Sequence, residues 1–148
     1  MSAKPAKELS ELGREVLERG GRLRFAVAGD SMSPALASGE TAVVEPLRGE
    51  LPRVGDVLLF AVDGGPPIVH RMVAGRRHGA LLLLATKGDN ARLWDPVVPE
   101  TAVLGRVTAV ERHCQTLPLP RRIPALPDRV RGWRTLLRHA RAWRTEAN

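Results

Sequence analysis

The sequence predicts a mainly β domain with an amphipathic helix at its N-terminus and a basic amphipathic helix at its C-terminus. Short apolar segments between residues 22 and 110 are separated by glycine and proline, which is typical of many short strands. Apolar side chains recur with the helical period before residue 20 and again after residue 128. With 148 residues, the chain is long enough for one compact domain that needs no disulfide.

The first predicted helix covers residues 5–20 and is followed by a strand. The helix ends at Gly20-Gly21, and the next segment, RLRFAVAG (22–29), alternates apolar and other side chains as a half-buried strand does. One apolar stripe of the helix is formed by Leu9, Leu12, Val16 and Leu17.

Five further strands are predicted in the central part of the chain. They are TAVVEP (41–46), VGDVLLFAV (54–62), PIVHRMVAG (67–75), ALLLLATKG (80–88) and Val103–Val110. A turn-rich segment with one helical turn near Pro34 precedes them, a basic turn joins two of them at Gly75–Gly79, and a proline-rich loop precedes the last.

The last 37 residues carry the whole net charge of +7, because acidic and basic side chains balance in the first 111. Residues 116–127 hold four prolines and predict an extended linker, so residues 1–117 are taken as the domain and 118–148 as linker and tail. A helix is predicted to follow with Asp128 as N-cap. Its apolar face holds Val130, Trp133, Leu136, Leu137, Ala140 and Trp143, and its other face Arg134, Arg138, Arg141 and Arg144.

Two interpretations of this tail stay open. In the first, the helix docks on the domain and buries Trp133 and Trp143. In the second, it binds an anionic membrane surface or a partner protein, with tryptophan at the interface and arginine toward the headgroups. No nucleic-acid reading motif accompanies the arginines, which argues against nucleic acid. Under the second interpretation, truncation after Leu117 leaves the β domain folded.

Composition excludes several classes of protein and site. No apolar run approaches the ~20 residues of a membrane-spanning helix, and the N-terminus lacks the apolar stretch of a secretion signal. Cys114 is the single cysteine, which excludes an internal disulfide and a cysteine-cluster zinc site. We expect a cytoplasmic protein, peripheral at the inner membrane face if the tail binds lipid, with no cofactor and no metal.

Four segments resemble the motifs of one protease superfamily. They are GDSMSPALASGE (29–40), VGDVLLF (54–60), IVHRMV (68–73) and TKGDNARLWD (86–95), followed by VLGRV (103–107). In this order and spacing they resemble the signal-peptidase and LexA-like serine protease superfamily. The third segment contains His70 where bacterial members have lysine, so the resemblance is closest to the Ser-His-Asp branch of archaeal and endoplasmic-reticulum type. The resemblance implies the superfamily's β domain and a serine endopeptidase activity.

The chemistry of these residues agrees with that implication. Ser31 needs an adjacent base to act as a nucleophile, and the imidazole of a histidine such as His70 can take up a proton and return it. We expect Ser31 Oγ within roughly 2.6–3.2 Å of a His70 ring nitrogen. Asp89 is expected to orient His70, with Asp95 nearby as a supporting group or as the alternative orienter. Gly29 stands where many signal peptidases have a hydroxyl residue, so the oxyanion donors are expected to be backbone N–H groups such as that of Ser31.

Each of these four residues also has a purely structural interpretation. Ser31 could serve as a turn residue, His70 as a hydrogen-bonded core histidine, Asp89 as the closure of a Gly-Asp-Asn turn, and Asp95 as a loop acid.

The predicted function is a serine endopeptidase that acts on an extended leader or precursor peptide. The substrate is expected to add as a strand beside the site, and by resemblance small residues such as alanine precede the scissile bond. A maturation protease dedicated to one precursor is the hypothesis we favour. A LexA-like self-cleaving regulator and a non-catalytic peptide-binding module remain as alternatives, and the oligomeric state stays open.

Overall fold

The computed structural model confirms the predicted mainly β architecture with a helix at each end. It describes the backbone of residues 3–146 and the side-chain surroundings of residues 11–141, so the predictions for the side chains of Leu9, Trp143 and Arg144 lie outside the described residues. In chain order the elements are helix α1 (Ala3–Glu18), strands β1 (Leu23–Ala26), β2 (Thr41–Glu45), β3 (Val57–Phe60), β4 (Ile68–His78), β5 (Leu81–Lys87) and β6 (Val98–Pro99), a 3-10 turn (Glu100–Ala102), strands β7 (Val103–Arg112) and β8 (Gln115–Pro118), and helix α2 (Leu126–Glu146).

One antiparallel sheet contains all the strands. Its order is β1-β2-β7-β3-β4-β5-β6, and β8 also pairs with β7. The first part of β7 pairs with β3 and the later part with β2, so β7 joins the two halves of the sheet. The pairing of β2 with β7 shifts register between Val43 and Val44.

Apolar side chains pack on both faces of the sheet. All four residues of β3 are buried, and they alternate between two core clusters. Leu59 packs with Leu17 of α1 and with Leu36, whereas Leu58 packs with Met72. A continuous apolar strand is expected where both faces are covered. Of the α1 stripe residues whose side chains are described, Leu17 is buried, whereas Leu12 and Val16 are exposed.

The hairpin of β4 and β5 is longer than predicted. The expected basic turn at Gly75–Gly79 is wrong, since Arg76, Arg77 and His78 pair with Leu83, Leu82 and Leu81. The turn lies instead at Gly79-Ala80, where Gly79 has a positive φ of 60°. The predicted proline-rich loop also contributes a short strand, β6, which pairs with Leu83 and Leu84 at the sheet edge.

The tail is part of the domain rather than a separate segment. Residues of the expected linker form β8, and the Arg122 N–H donates to the carbonyl of Gly55 over 3.3 Å. Helix α2 begins at Leu126, before Asp128, and packs on β4 and β5. Leu136 is completely buried with Ala74, Leu83 and Ala85, so the expected separation of residues 118–148 is wrong. The docked interpretation also expected Trp133 to be buried. That part is wrong, because the Trp133 side chain is 48% exposed although the helix itself packs on the sheet. None of the described helices is long and apolar enough to cross a membrane.

Leu136→Ala is expected to destabilise the protein strongly, because it leaves a cavity between α2 and the sheet. Loss of a fully buried leucine side chain lowers the free energy of unfolding by about 2–5 kcal/mol. The matched control is Leu137→Ala, on the neighbouring exposed position of the same helix, for which we expect a clearly smaller loss. Denaturant unfolding of both variants measures the difference. Equal losses would show that α2 is not docked through Leu136.

Candidate active site

Ser31 and His70 form a hydrogen-bonded pair although 39 positions separate them in sequence. His70 Nε2 lies 3.0 Å from Ser31 Oγ, which confirms the expected approach of the two side chains. His70 lies on β4, and Ser31 lies on the loop of residues 29–40, which we call the Ser31 loop. The loop is closed at its neck because Val27 exchanges two backbone hydrogen bonds with Gly39 and Glu40. Met32 and Leu36 anchor it in the core, where both are buried.

Asp95 is the residue that orients the His70 ring. Its Oδ2 lies 2.6 Å from His70 Nδ1 and also accepts a hydrogen bond of 2.8 Å from the Thr86 hydroxyl. The Asp95 N–H donates to the Thr86 carbonyl, so two contacts hold Asp95, in the loop after β5, against Thr86 of that strand. A carboxylate only accepts, so the neutral ring carries its proton on Nδ1. Nε2 is then the acceptor for the Ser31 hydroxyl, as a general base requires.

Asp89 holds a different position from the one expected. Both of its carboxylate oxygens accept from Arg71, over 2.8 Å each, and the two side chains are only 6% and 4% exposed. Arg71 follows His70 on β4, and successive strand residues point to opposite faces. The partners of His70 and Arg71 therefore lie on opposite sides of the strand. The orienting contact expected of Asp89 belongs to Asp95, and Asp89 neutralises a buried arginine.

The segment Gly88–Asn90 contacts the Ser31 loop directly. The Asn90 N–H donates to the Ser31 carbonyl over 2.8 Å, and the Asn90 side chain donates to the Asp30 carbonyl. A Cβ on Gly88 would lie 2.6 Å from the Ser31 carbonyl oxygen and 3.0 Å from His70 Nε2. Only glycine fits at this close approach. Asp89 therefore positions Ser31 through this segment, without touching His70.

The arginine that pairs with Asp89 is the feature missed at the sequence level. Arg71 stands directly after His70 in IVHRMV, in a strand whose other residues are mostly apolar. A charged side chain on a buried strand needs a partner of opposite charge, and this requirement points to one of the two aspartates. Residue order alone does not say which aspartate faces His70 and which faces Arg71.

An apolar groove of about 620 Å³ opens beside Ser31 and His70. It lies between β1 and the start of β4, and its walls include Leu23, Phe25, Val27, Ile68, Val69 and Leu104. Such a groove accommodates apolar side chains of an extended chain. Within the described residues, no group of three or more His, Cys, Asp or Glu side chains is placed to hold a metal ion.

An ion pair connects the Ser31 loop to β7. The Arg112 guanidinium donates to both carboxylate oxygens of Glu40, and the Ala37 N–H also donates to Glu40. The hydrogen bond from Arg112 lowers the pKa of Glu40 below its usual value, despite partial burial that acts in the opposite direction. The loop is therefore held most firmly when Glu40 is ionised.

Asp89→Asn is expected to cost about 3–5 kcal/mol of stability, because it leaves the buried Arg71 charge without a carboxylate. The matched control is Arg122→Gln. Arg122 also contacts Asp89, at 3.2 Å, but its side chain is 65% exposed. An exposed ion pair contributes about 1 kcal/mol or less, so this control should stay close to the unmodified protein. Denaturant unfolding measures both losses, and a minor effect of Asp89→Asn would contradict the assigned role.

Glu40→Gln is expected to remove a pH-dependent part of the stability. The pKa of Glu40 is lowered in the folded state, so its contribution is present above the ordinary value of 4.5 and is lost as pH falls through the lowered pKa. The stability gap between the protein and Glu40→Gln should be full at neutral pH and close in acid. Unfolding midpoints across pH measure it, with Glu15→Gln in an exposed ion pair as control. A constant gap would refute the linkage.

Comparison with known proteins gives no family for this chain. No protein-family model matches the sequence, and no curated protein matches it. The features of this chain that indicate a function are the hydrogen-bonded series Ser31, His70 and Asp95 and the groove beside it.

Proposed function

We propose that this protein is a serine endopeptidase that cleaves a leader or precursor peptide. The observation that carries the proposal is the unbroken series from Ser31 Oγ to His70 Nε2 and from His70 Nδ1 to Asp95. Turn residues and structural histidines need no such alignment, whereas a nucleophile, a base and an orienting acid do. The proposal includes a signal-peptidase-like form of the β domain. The motif segments of that resemblance supply all three residues.

The mechanism follows from the order of the hydrogen bonds. His70 Nε2 takes the hydroxyl proton while Ser31 Oγ attacks the scissile carbonyl carbon, and the Ser31 N–H is the proposed donor to the oxyanion. Asp95 stabilises the imidazolium that forms. The imidazolium gives its proton to the leaving amine, so an ester on Ser31 and the first product result. His70 then takes a proton from a water whose oxygen attacks the ester carbonyl carbon, and the bond from that carbon to Ser31 Oγ breaks. The imidazolium returns the proton to Ser31 Oγ, and the second product leaves with a free carboxylate.

The groove favours an extended substrate with apolar side chains before the scissile bond. Strand β1 lies at the edge of the sheet and forms one wall of the groove. A peptide beside this edge gains main-chain hydrogen bonds, and its alternate side chains enter the groove. Alanine, expected from the resemblance, is compatible with this lining. A cytoplasmic location is part of the proposal and is checked by cell fractionation.

A fluorophosphonate probe combined with peptide mass spectrometry tests the proposed activity. We expect the probe to label the protein on Ser31 and to leave Ser31→Ala unlabelled. Asp95→Asn should reduce peptide turnover on the order of 10⁴-fold, because the ring loses its correct tautomer. The matched control, Asp63→Asn, changes an exposed loop aspartate and should keep full activity.

The alternatives give different outcomes in the same experiment. A non-catalytic module would bind extended peptides while neither labelling nor cleavage occurs in folded protein. A self-cleaving regulator would cut its own chain in a Ser31-dependent reaction and would shift DNA in a gel. Either result would replace the endopeptidase proposal.

A further inference from the structure

Helix α2 presents a second apolar surface, next to the one that it buries. Leu136 and Ala140 face the sheet, whereas Leu126, Val130, Trp133 and Leu137 are all exposed. These four positions recur at intervals of four, three and four residues, so they form one stripe along the helix. We call them the α2 stripe. A soluble helix docked on its domain normally turns polar side chains outward, so this stripe is an unpartnered surface.

The sheet beside α2 extends the apolar surface. A groove of about 470 Å³ lies between the α2 stripe and β4, and Val54, Val73, Gly75 and Ile123 line it. Ile123 is itself exposed, on the segment that leads into α2. The apolar surface therefore includes the preceding segment and does not depend on one side chain.

A row of arginines borders the stripe on the side away from the sheet. Its members are Arg131, Arg134, Arg138 and Arg141, and all four are exposed. By helical geometry at 100° per residue, the stripe lies between the buried face and this row. Residues 112–148 hold the whole net charge of +7, and the two acidic residues of this part, Asp128 and Glu146, lie near the two ends of α2.

We propose that the α2 stripe and its arginine row form a docking surface for an anionic membrane. The apolar side chains would enter the boundary between headgroups and acyl chains, with Trp133 at that depth, and the arginines would contact lipid phosphates. This inference goes beyond the proposed peptidase activity and uses none of its residues.

Charge and hydrophobicity together select this occupant. Nucleic acid would neutralise the arginine row but would leave the stripe in water, since its phosphates offer no apolar surface. A second copy of this chain in a two-fold contact would place one arginine row near another, which like-charge repulsion opposes. An anionic bilayer supplies both phosphates and an apolar layer at adjacent depths.

Co-sedimentation of the full chain with vesicles tests the proposal. We expect binding to vesicles of phosphatidylglycerol and phosphatidylcholine, weak binding to phosphatidylcholine alone, and release as salt is raised, because screening shortens the range of charge attraction. Arg134→Gln with Arg138→Gln should weaken binding on the order of tenfold or more, since each basic side chain contributes about a factor of five near an anionic surface. Val130→Ser with Trp133→Ser should weaken it on a similar order.

Two control variants distinguish binding through this surface from nonspecific electrostatic or hydrophobic binding to vesicles. Arg19→Gln removes an exposed arginine directly after α1, and Leu93→Ser removes the most exposed of the large apolar side chains described. Both should bind vesicles as the unmodified chain does. Unfolding midpoints verify that each variant is folded, and the arginine variants test the surface even if the stripe variant unfolds.

Three results would overturn the proposal. The first is no sedimentation with anionic vesicles at low salt, and the second is vesicle binding that survives both double substitutions. The third is binding to duplex DNA, or dimer formation, that depends on the same residues while vesicles remain unbound. Fluorophosphonate labelling is measured separately, so loss of membrane binding and loss of peptidase activity can be told apart.

Discussion

The buried pair of Arg71 and Asp89 holds together four parts of the molecule that lie far apart in sequence. Two charges removed from water are stable only when they are paired and their remaining hydrogen-bonding groups are satisfied. Arg71 meets this requirement by donating to both oxygens of Asp89 and to the carbonyl of Gly55, and Arg122 supplies a further contact to Asp89. Strand β4, the turn before β3, the segment Gly88–Asn90 and the start of the tail therefore have fixed relative positions. Because Asn90 contacts the Ser31 carbonyl, this ion pair also constrains the position of Ser31.

Two adjacent residues of strand β4 bind the two aspartates, and the aspartates therefore have different roles. His70 and Arg71 are adjacent and point to opposite faces, so one takes Asp95 and the other takes Asp89. The loop between these aspartates also contacts the tail, because Gly132 of α2 packs against Trp94. A Cβ on Gly132 would lie 3.0 Å from the Ala74 Cβ and 3.3 Å from the Trp94 ring. Helix α2 thus supports the residue that precedes Asp95, and the tail is part of the structure around the site.

Charge is segregated in this protein in a way that matches the two surfaces. Residues 1–111, which include Ser31, His70 and Asp95, carry no net charge. The net charge of +7 lies on residues 112–148. Helix α2 uses one side to cover the sheet, and it leaves the α2 stripe and the arginine row outward. The proposed peptidase site and the proposed membrane surface therefore depend on different residues of one domain.

The sequence by itself determined the mainly β class, both terminal helices and the pair of Ser31 and His70. Those features depend on local periodicity, on Gly/Pro spacing and on motif residues, all of which are visible along the chain. Tertiary structure alone decided the rest. Strand β4 continues past Gly75 because its residues pair with Leu81–Leu83 of β5. The first part of the proline-rich segment is in a strand because β8 pairs with the later part of β7. Tertiary structure also assigned Asp95 to His70 and Asp89 to Arg71, and it divided the α2 apolar face into buried and exposed parts. Each of these outcomes depends on contacts between residues that are far apart in sequence, and local sequence patterns do not specify which residues form them.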